Sequence, residues 1–153
     1  MKVLGMMSGT SMDGLDCCYV DIDMDNNYNL RFNLIDFKMY PFPKEIVKLI
    51  VQSLGNNNNV GKTHDELGRF FLECCKNFIN KNKLDLISMH GQTISHSNGV
   101  YTQQIGNPKY LNDFFNIPVI YDFRSKDIKL GGNGAPLVPF LDWLLYKSKK
   151  ENT

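Results

Sequence analysis

The chain has 153 residues, of which 42% are hydrophobic and 22% charged, with a formal net charge of +1. That length suits a single domain whose core needs no metal or disulfide staple. The balanced charge gives no electrostatic case for nucleic acid or an anionic membrane, and the apolar runs fit neither a membrane span nor a signal peptide.

Residues 2–7 and 15–24 read as strands, the second with Cys18, Val20 and Ile22 on one face. "DMDNNYN" is turn chemistry, and residues 30–40 alternate as a third strand. Together they predict an antiparallel meander, ended by Pro41 and Pro43. "PKEIVKLIVQSL" follows as a short helix with Pro43 at its first turn, where a missing N–H costs nothing. "GNNNNVG" is a polar loop, and "THDE" (Thr63 to Glu66) matches a capping box. The helix behind it places Leu67, Phe70, Phe71, Cys74, Phe78 and Ile79 on one stripe, which reads as core. "LDLISMH" is a strand ending at His90, "VYTQQIG" a short strand, "NPKYLNDFF" a helix and "IPVIYDF" a strand ending near Asp122. After "RSKDIKLGGNGAP", read as loop, comes an amphipathic helix with Leu137, Phe140, Leu141, Leu144 and Leu145 on one stripe; "YKSKKENT" is its solvated end. A meander followed by helix-linked strands predicts an α/β fold, one mixed sheet with helices on its faces. No repeat or linker divides residues 1–153.

The four cysteines form adjacent pairs, Cys17–Cys18 and Cys74–Cys75. Zinc ligands are spaced two to four residues apart, and neighbours on a strand face opposite ways. All four therefore read as small apolar residues in a reducing cytoplasm.

Four polar stretches fall where strands are expected to end: "MSGTSMDG", "MHGQTISH", "QQIGNP" and "DFRSKDIKLGGNGAP". In the first, Gly9 and Gly14 allow unusual backbone, and Ser8, Thr10 and Ser11 supply donors. An anion cradle with Asp13 beside Mg²⁺ and a plain hairpin turn both fit. A Walker loop is excluded by the lack of a Gly-Lys-Ser/Thr ending, and a nucleophile elbow by Asp13 where glycine is required. Asp122 and Asp127 flank Arg124, as a general base near a cation or as a surface ion pair. His90 fits a base, a ligand donor or a structural histidine; His64 and His96 have weaker claims.

"GMMSGTSMDGLD", "HGQTISH", "QIGNP", "PVIYDFRSKDI" and "GGNGAPLVP", in this order, closely resemble the anhydro-N-acetylmuramic acid kinases from Val3 to Pro139. The resemblance implies a ribonuclease-H-like lobe of the superfamily of sugar kinases, actin and heat-shock chaperones. It implies that Gly9, Thr10, Ser11, Met12, Asp13, Gly14, Leu15 and Asp16 form a phosphate-binding hairpin, with Asp13 as the Mg²⁺-side carboxylate. Asp127 is implied as catalytic base, and His90, Gln92, Thr93, Gln104, Asn107 and Arg124 as lining or supporting the sugar site. The implied reaction uses ATP and Mg²⁺ to open the 1,6-anhydro bridge of a small amino sugar and phosphorylate O6, giving N-acetylmuramic acid 6-phosphate in cytoplasmic cell-wall recycling. The family's chain is about twice as long and carries a second lobe. The expectation is thus an N-terminal lobe, inactive without its C-terminal partner lobe and dimeric at full length. A stand-alone lobe that binds sugar or protein without catalysis is the alternative; an actin-like ATPase is disfavoured by the sugar-site stretches.

Overall fold

A computed structural model describes residues 1–54 and 59–147. Three strands open the chain: β1 (Lys2–Ser8), β2 (Gly14–Met24) and β3 (Leu30–Pro41). Helices α1 (Lys44–Ser53) and α2 (Val60–Ile79) follow. Then come β4 (Leu86–Ser97), β5 (Tyr101–Ile105), α3 (Lys109–Phe115), β6 (Val119–Ile120), α4 (Phe123–Lys129) and α5 (Val138–Tyr146).

The six strands form one mixed sheet in the order β3-β2-β1-β4-β5, with β6 also on β4. The meander is antiparallel, whereas β4 runs parallel to β1 and β6 parallel to β4. The long β4 serves two neighbours, β6 at Ile87–Ser88 and β5 from Gln92 to Ser97. This is the expected ribonuclease-H-like lobe: an antiparallel meander extended by parallel strands with helical crossovers.

Alternation sends Leu4 and Met6 of β1, Leu15, Cys17 and Tyr19 of β2, and Ile87 and Met89 of β4 into the core. Against them pack Ile46 and Ile50 of α1, Leu67, Phe71, Cys74, Cys75 and Ile79 of α2, and Leu111 of α3. Phe70 and Phe78 are half-buried at the margin of the α2 stripe. Cys17, Cys74 and Cys75 are buried and Cys18, on the opposite face, half-buried; all four are free thiols. Burial pushes the Cys17 and Cys74 thiols up to about 12, so they stay protonated and behave as apolar groups.

The other face of the sheet is largely open. Phe32, Leu34, Phe37 and Met39 of β3 and Met7 of β1 are exposed there. Phe123 shares a cleft with Met7, Cys18 and Phe37, so α4 begins the cover of this face. Helix α5 buries none of its residues, and Leu137, Phe140, Leu141 and Leu145, which the sequence places on one stripe of an amphipathic helix, are exposed.

Several boundaries differ from the sequence reading. Thr63 does not cap a helix, because α2 already begins at Val60. Its buried hydroxyl donates to the Asn59 carbonyl and accepts from Ser53, tying α2 to α1. Of the "GNNNNVG" loop, residues 55–58 lie outside the described residues, and Val60 and Gly61 belong to α2. From "YKSKKENT", residues 148–153 also lie outside them. His90 does not end β4, which runs on to Ser97 because β5 supplies the missing partner. Strand β6 covers only Val119–Ile120, and "FRSKDIK", read as strand end and loop, is helix α4.

Candidate active site

The tip between β1 and β2 turns tightly. Met12 adopts φ 55° and donates its amide to the Gly9 carbonyl at 3.2 Å. Thr10, Ser11 and Asp13 are exposed on the turn, and the Ser11 hydroxyl donates to Asp13 Oδ1 at 2.9 Å. Gly14 is needed for packing: a Cβ there would overlap the Tyr40 carbonyl and lie 3.0 Å from Met39 Sδ. Leu15 points into the core, and Asp16 lies half-buried on the open face of the sheet.

The base of this hairpin is fixed from β4. Gln92 is fully buried. Its Oε1 accepts from the Ser8 hydroxyl, and its Nε2 donates to the Gly9 carbonyl at 3.0 Å and the Thr93 carbonyl at 3.2 Å. The structure therefore places Gln92 inside the lobe as a strut, with both ends of its amide engaged. Ser8, read from the sequence as one of the donors of an anion cradle, is its partner: its hydroxyl is buried and spent on Gln92.

Two residues earlier on β4, the His90 ring is also held at both nitrogens. Nδ1 lies 2.8 Å from the Gly91 carbonyl and so carries the proton, leaving Nε2 to accept from Arg124 Nε at 2.8 Å. Burial, with a further contribution from the Arg124 charge, holds this imidazole below its ordinary range; the Gly91 bond opposes them. Arg124 also reaches the Gly134 carbonyl at 3.4 Å. One helical turn on, Asp127 Oδ2 accepts from the Gly134 amide at 2.7 Å. The sequence "GGNG" is legible here: the Asp127 carboxylate fills the space that a Cβ on Gly132 would need, and Gly134 takes φ 75°. Asp122, which precedes α4, also adopts a left-handed conformation at φ 58°.

Beside this cluster is a cavity of about 210 Å³ whose polar lining includes His64, His90, Thr102, Gln104, Asp122 and Ser125. Gln104 is braced by Thr93 and Thr102, whose hydroxyls accept from its Nε2 at 3.2 and 2.7 Å. Asn107 stands at a neighbouring cavity of about 590 Å³. There it donates to Asp65 at 2.8 Å and accepts from the Lys109 amide at 3.0 Å, opening α3. Thus β4 gathers most of the expected residues: Gln92 reaches the hairpin, His90 reaches Arg124, and Thr93 reaches Gln104. Asp127 is joined through Gly134, while Asn107 stands apart at the second cavity. His64, weakly placed by sequence, lines both cavities.

A mixed α/β lobe with a polar hairpin and a carboxylate–arginine cluster braced from one strand defines the class of protein. The family profile described as anhydro-N-acetylmuramic acid kinase matches residues 1–153. Proteins bearing that name are similar throughout the chain. One from Bacillus thuringiensis subsp. konkukian is 39% identical, covering 99% of this chain and 44% of the relative. Others, from Coxiella burnetii and Sulfurimonas denitrificans, are 36% and 34% identical, covering 99% and 97% of this chain and 42% of each relative. A RuvC structure from Thermus thermophilus aligns with a TM-score of 0.43 at 13% identity, over 95% of this chain and 78% of that one. The chain belongs to the anhydro-N-acetylmuramic acid kinase family and spans 42–44% of the length of these relatives. Among the described residues no helix is long and apolar enough to cross a membrane.

Proposed function

We propose that this chain is the N-terminal, sugar- and phosphate-binding lobe of an ATP-dependent anhydro-N-acetylmuramic acid kinase of cytoplasmic cell-wall recycling. Family membership supports the activity. The observation that carries the site is the bracing of hairpin and α4 by neighbouring residues of one strand, Gln92 and His90. Asp127 is the base: its carboxylate is oriented by the Gly134 amide and takes a proton from the water that attacks C1. As the C1–O6 bond breaks, positive charge develops at the ring, as in glycoside hydrolysis. O6 departs as an alkoxide, a poor leaving group in water, and bonds to the γ-phosphorus as ADP leaves. Phosphoryl capture thereby replaces a general acid. Arg124, held by neutral His90, supports the sugar site with a fixed positive charge.

The hairpin presents backbone and hydroxyl donors at Gly9, Thr10 and Ser11 to the phosphates. Asp13 fits Mg²⁺: it is an exposed hard-oxygen ligand at the turn, and Mg²⁺ needs only one or two carboxylates when substrate phosphates and water complete its shell. Bound there, the ion neutralises phosphate charge. Gln92 acts through the hairpin instead of touching sugar.

The lobe alone leaves the nucleotide contacted from one side, so turnover needs the C-terminal part that relatives carry. The test is formation of the sugar 6-phosphate from ATP, followed by phosphorus NMR. It is run on this chain and on this chain joined to the C-terminal part of the B. thuringiensis relative. The joined protein is expected to turn over and its Asp127→Asn variant to lose at least about 10³-fold. Near-normal turnover by that variant refutes the base assignment.

A further inference from the structure

We propose that the cavity between α2, β4 and β5 is a subsite for an acetamido substituent, with His64 donating a hydrogen bond to its carbonyl oxygen. This rests on the reading of the lobe as one that holds an amino sugar. His64 Nδ1 accepts from the Gly106 amide at 3.2 Å, so in the neutral ring the proton sits on Nε2. Burial favours that neutral form, with the Asp65 charge opposing it. Among the described residues no hydrogen bond is made by Nε2, and the ring lines the cavity. His90, on the same wall, has both nitrogens occupied and offers nothing to a ligand without releasing Arg124.

Gln104 supplies a second observation. Its Nε2 is held by two threonine hydroxyls, but its Oε1 is buried without a partner. A buried acceptor left without a partner is costly unless something donates to it. Gln104 is itself a lining residue of the cavity. A secondary amide complements this wall on three counts. Its carbonyl takes the His64 proton, its N–H answers Gln104, and its methyl meets Met89, Ile105, Pro108 and Tyr121. Size agrees: about 210 Å³ is below the roughly 300 Å³ at which pockets take whole ligands. The space suits a substituent, not a sugar ring.

The test is calorimetric titration of the chain with 1,6-anhydro-N-acetylmuramic acid and with its analogue bearing a hydroxyl in place of the acetamido group. The wild-type chain is expected to favour the acetamido sugar. His64→Ala should weaken that sugar about 10-fold, the worth of one hydrogen bond, while the analogue changes by less than about 2-fold. His64→Gln, which returns an N–H near the Nε2 position, should recover most of the loss. Should His64→Ala fail to fold, the ¹⁵N resonance of wild-type Nε2 decides: it must move on adding the acetamido sugar and not the analogue. Equal losses for both sugars, or none, overturn the subsite and leave the sugar-binding reading intact. Failure of the wild-type chain to bind either sugar overturns that reading, and the subsite with it.

Discussion

Replacing Gln92 by leucine tests how the β1–β2 hairpin is held. The substitution conserves bulk but removes hydrogen bonds to Ser8, Gly9 and Thr93 inside a fully buried site. The Ser8 hydroxyl, itself buried, is stranded at about 1–3 kcal/mol, while the Gly9 carbonyl keeps the Met12 amide and loses one bond worth about 0.5–1.5 kcal/mol. A total near 2–4 kcal/mol lowers the melting temperature of a chain this size by roughly 5–15 °C. Urea unfolding should show the loss in the midpoint with the slope unchanged. Hydrogen exchange of the amides from Gly9 to Asp13 should quicken more than that of the α2 core, because the hairpin loses its brace first. Adding Ser8→Ala should recover about 1 kcal/mol, since the stranded hydroxyl is removed. A single variant within about 0.5 kcal/mol of wild type, the range of an ordinary surface change, refutes the strut.

Acid should weaken the fold through its histidines. His64 and His90 both titrate below their ordinary value in the folded chain, so between those two values the unfolded chain binds more protons. Stability is therefore full above the ordinary histidine range near pH ~6.5 and falls as pH drops through it toward the folded values. Urea midpoints from pH 8 to pH 5 follow this, and His90→Gln should flatten the slope; an unchanged slope contradicts the assignment. Thiol reagents should label half-buried Cys18 first and reach Cys17, Cys74 and Cys75 only on unfolding, as mass spectrometry of labelled peptides reports. Gly14→Ala should cost about 1–3 kcal/mol in urea unfolding, because the added methyl overlaps the Tyr40 backbone.

Periodicity alone gave the meander and the α2 stripe, because alternation and helical spacing are local properties. It placed Leu67, Phe71, Cys74 and Ile79 correctly in the core. It fails at β4, where it ends the strand at His90: only the pairing with β5 extends the strand, and pairing is not local. It failed at α4 for a related reason. "FRSKDIK" buries no residue and so shows no apolar stripe; the helix is fixed instead by Arg124 on His90 and Asp127 on Gly134. The same contacts explain why the glycine run was legible as a close approach but not what approaches it. Gln92 and His64 were unreadable in their roles because the roles depend on which neighbours occupy their donors and acceptors. Sequence lists those atoms without saying which are already engaged.

The uncovered face of the sheet also bears on how this chain behaves in the tube. Strand β3 is an outer strand of twelve residues, with Phe32, Leu34, Phe37 and Met39 exposed along it. Among the described residues one of its backbone edges has no strand beside it, and the chain carries almost no net charge to keep copies apart. Concentration, more than heat, should therefore set the practical limit on the isolated lobe. Phe32→Lys on that strand should raise its solubility without disturbing the hairpin or the cavity, since Phe32 pairs with Ile22 at the far end of the strand.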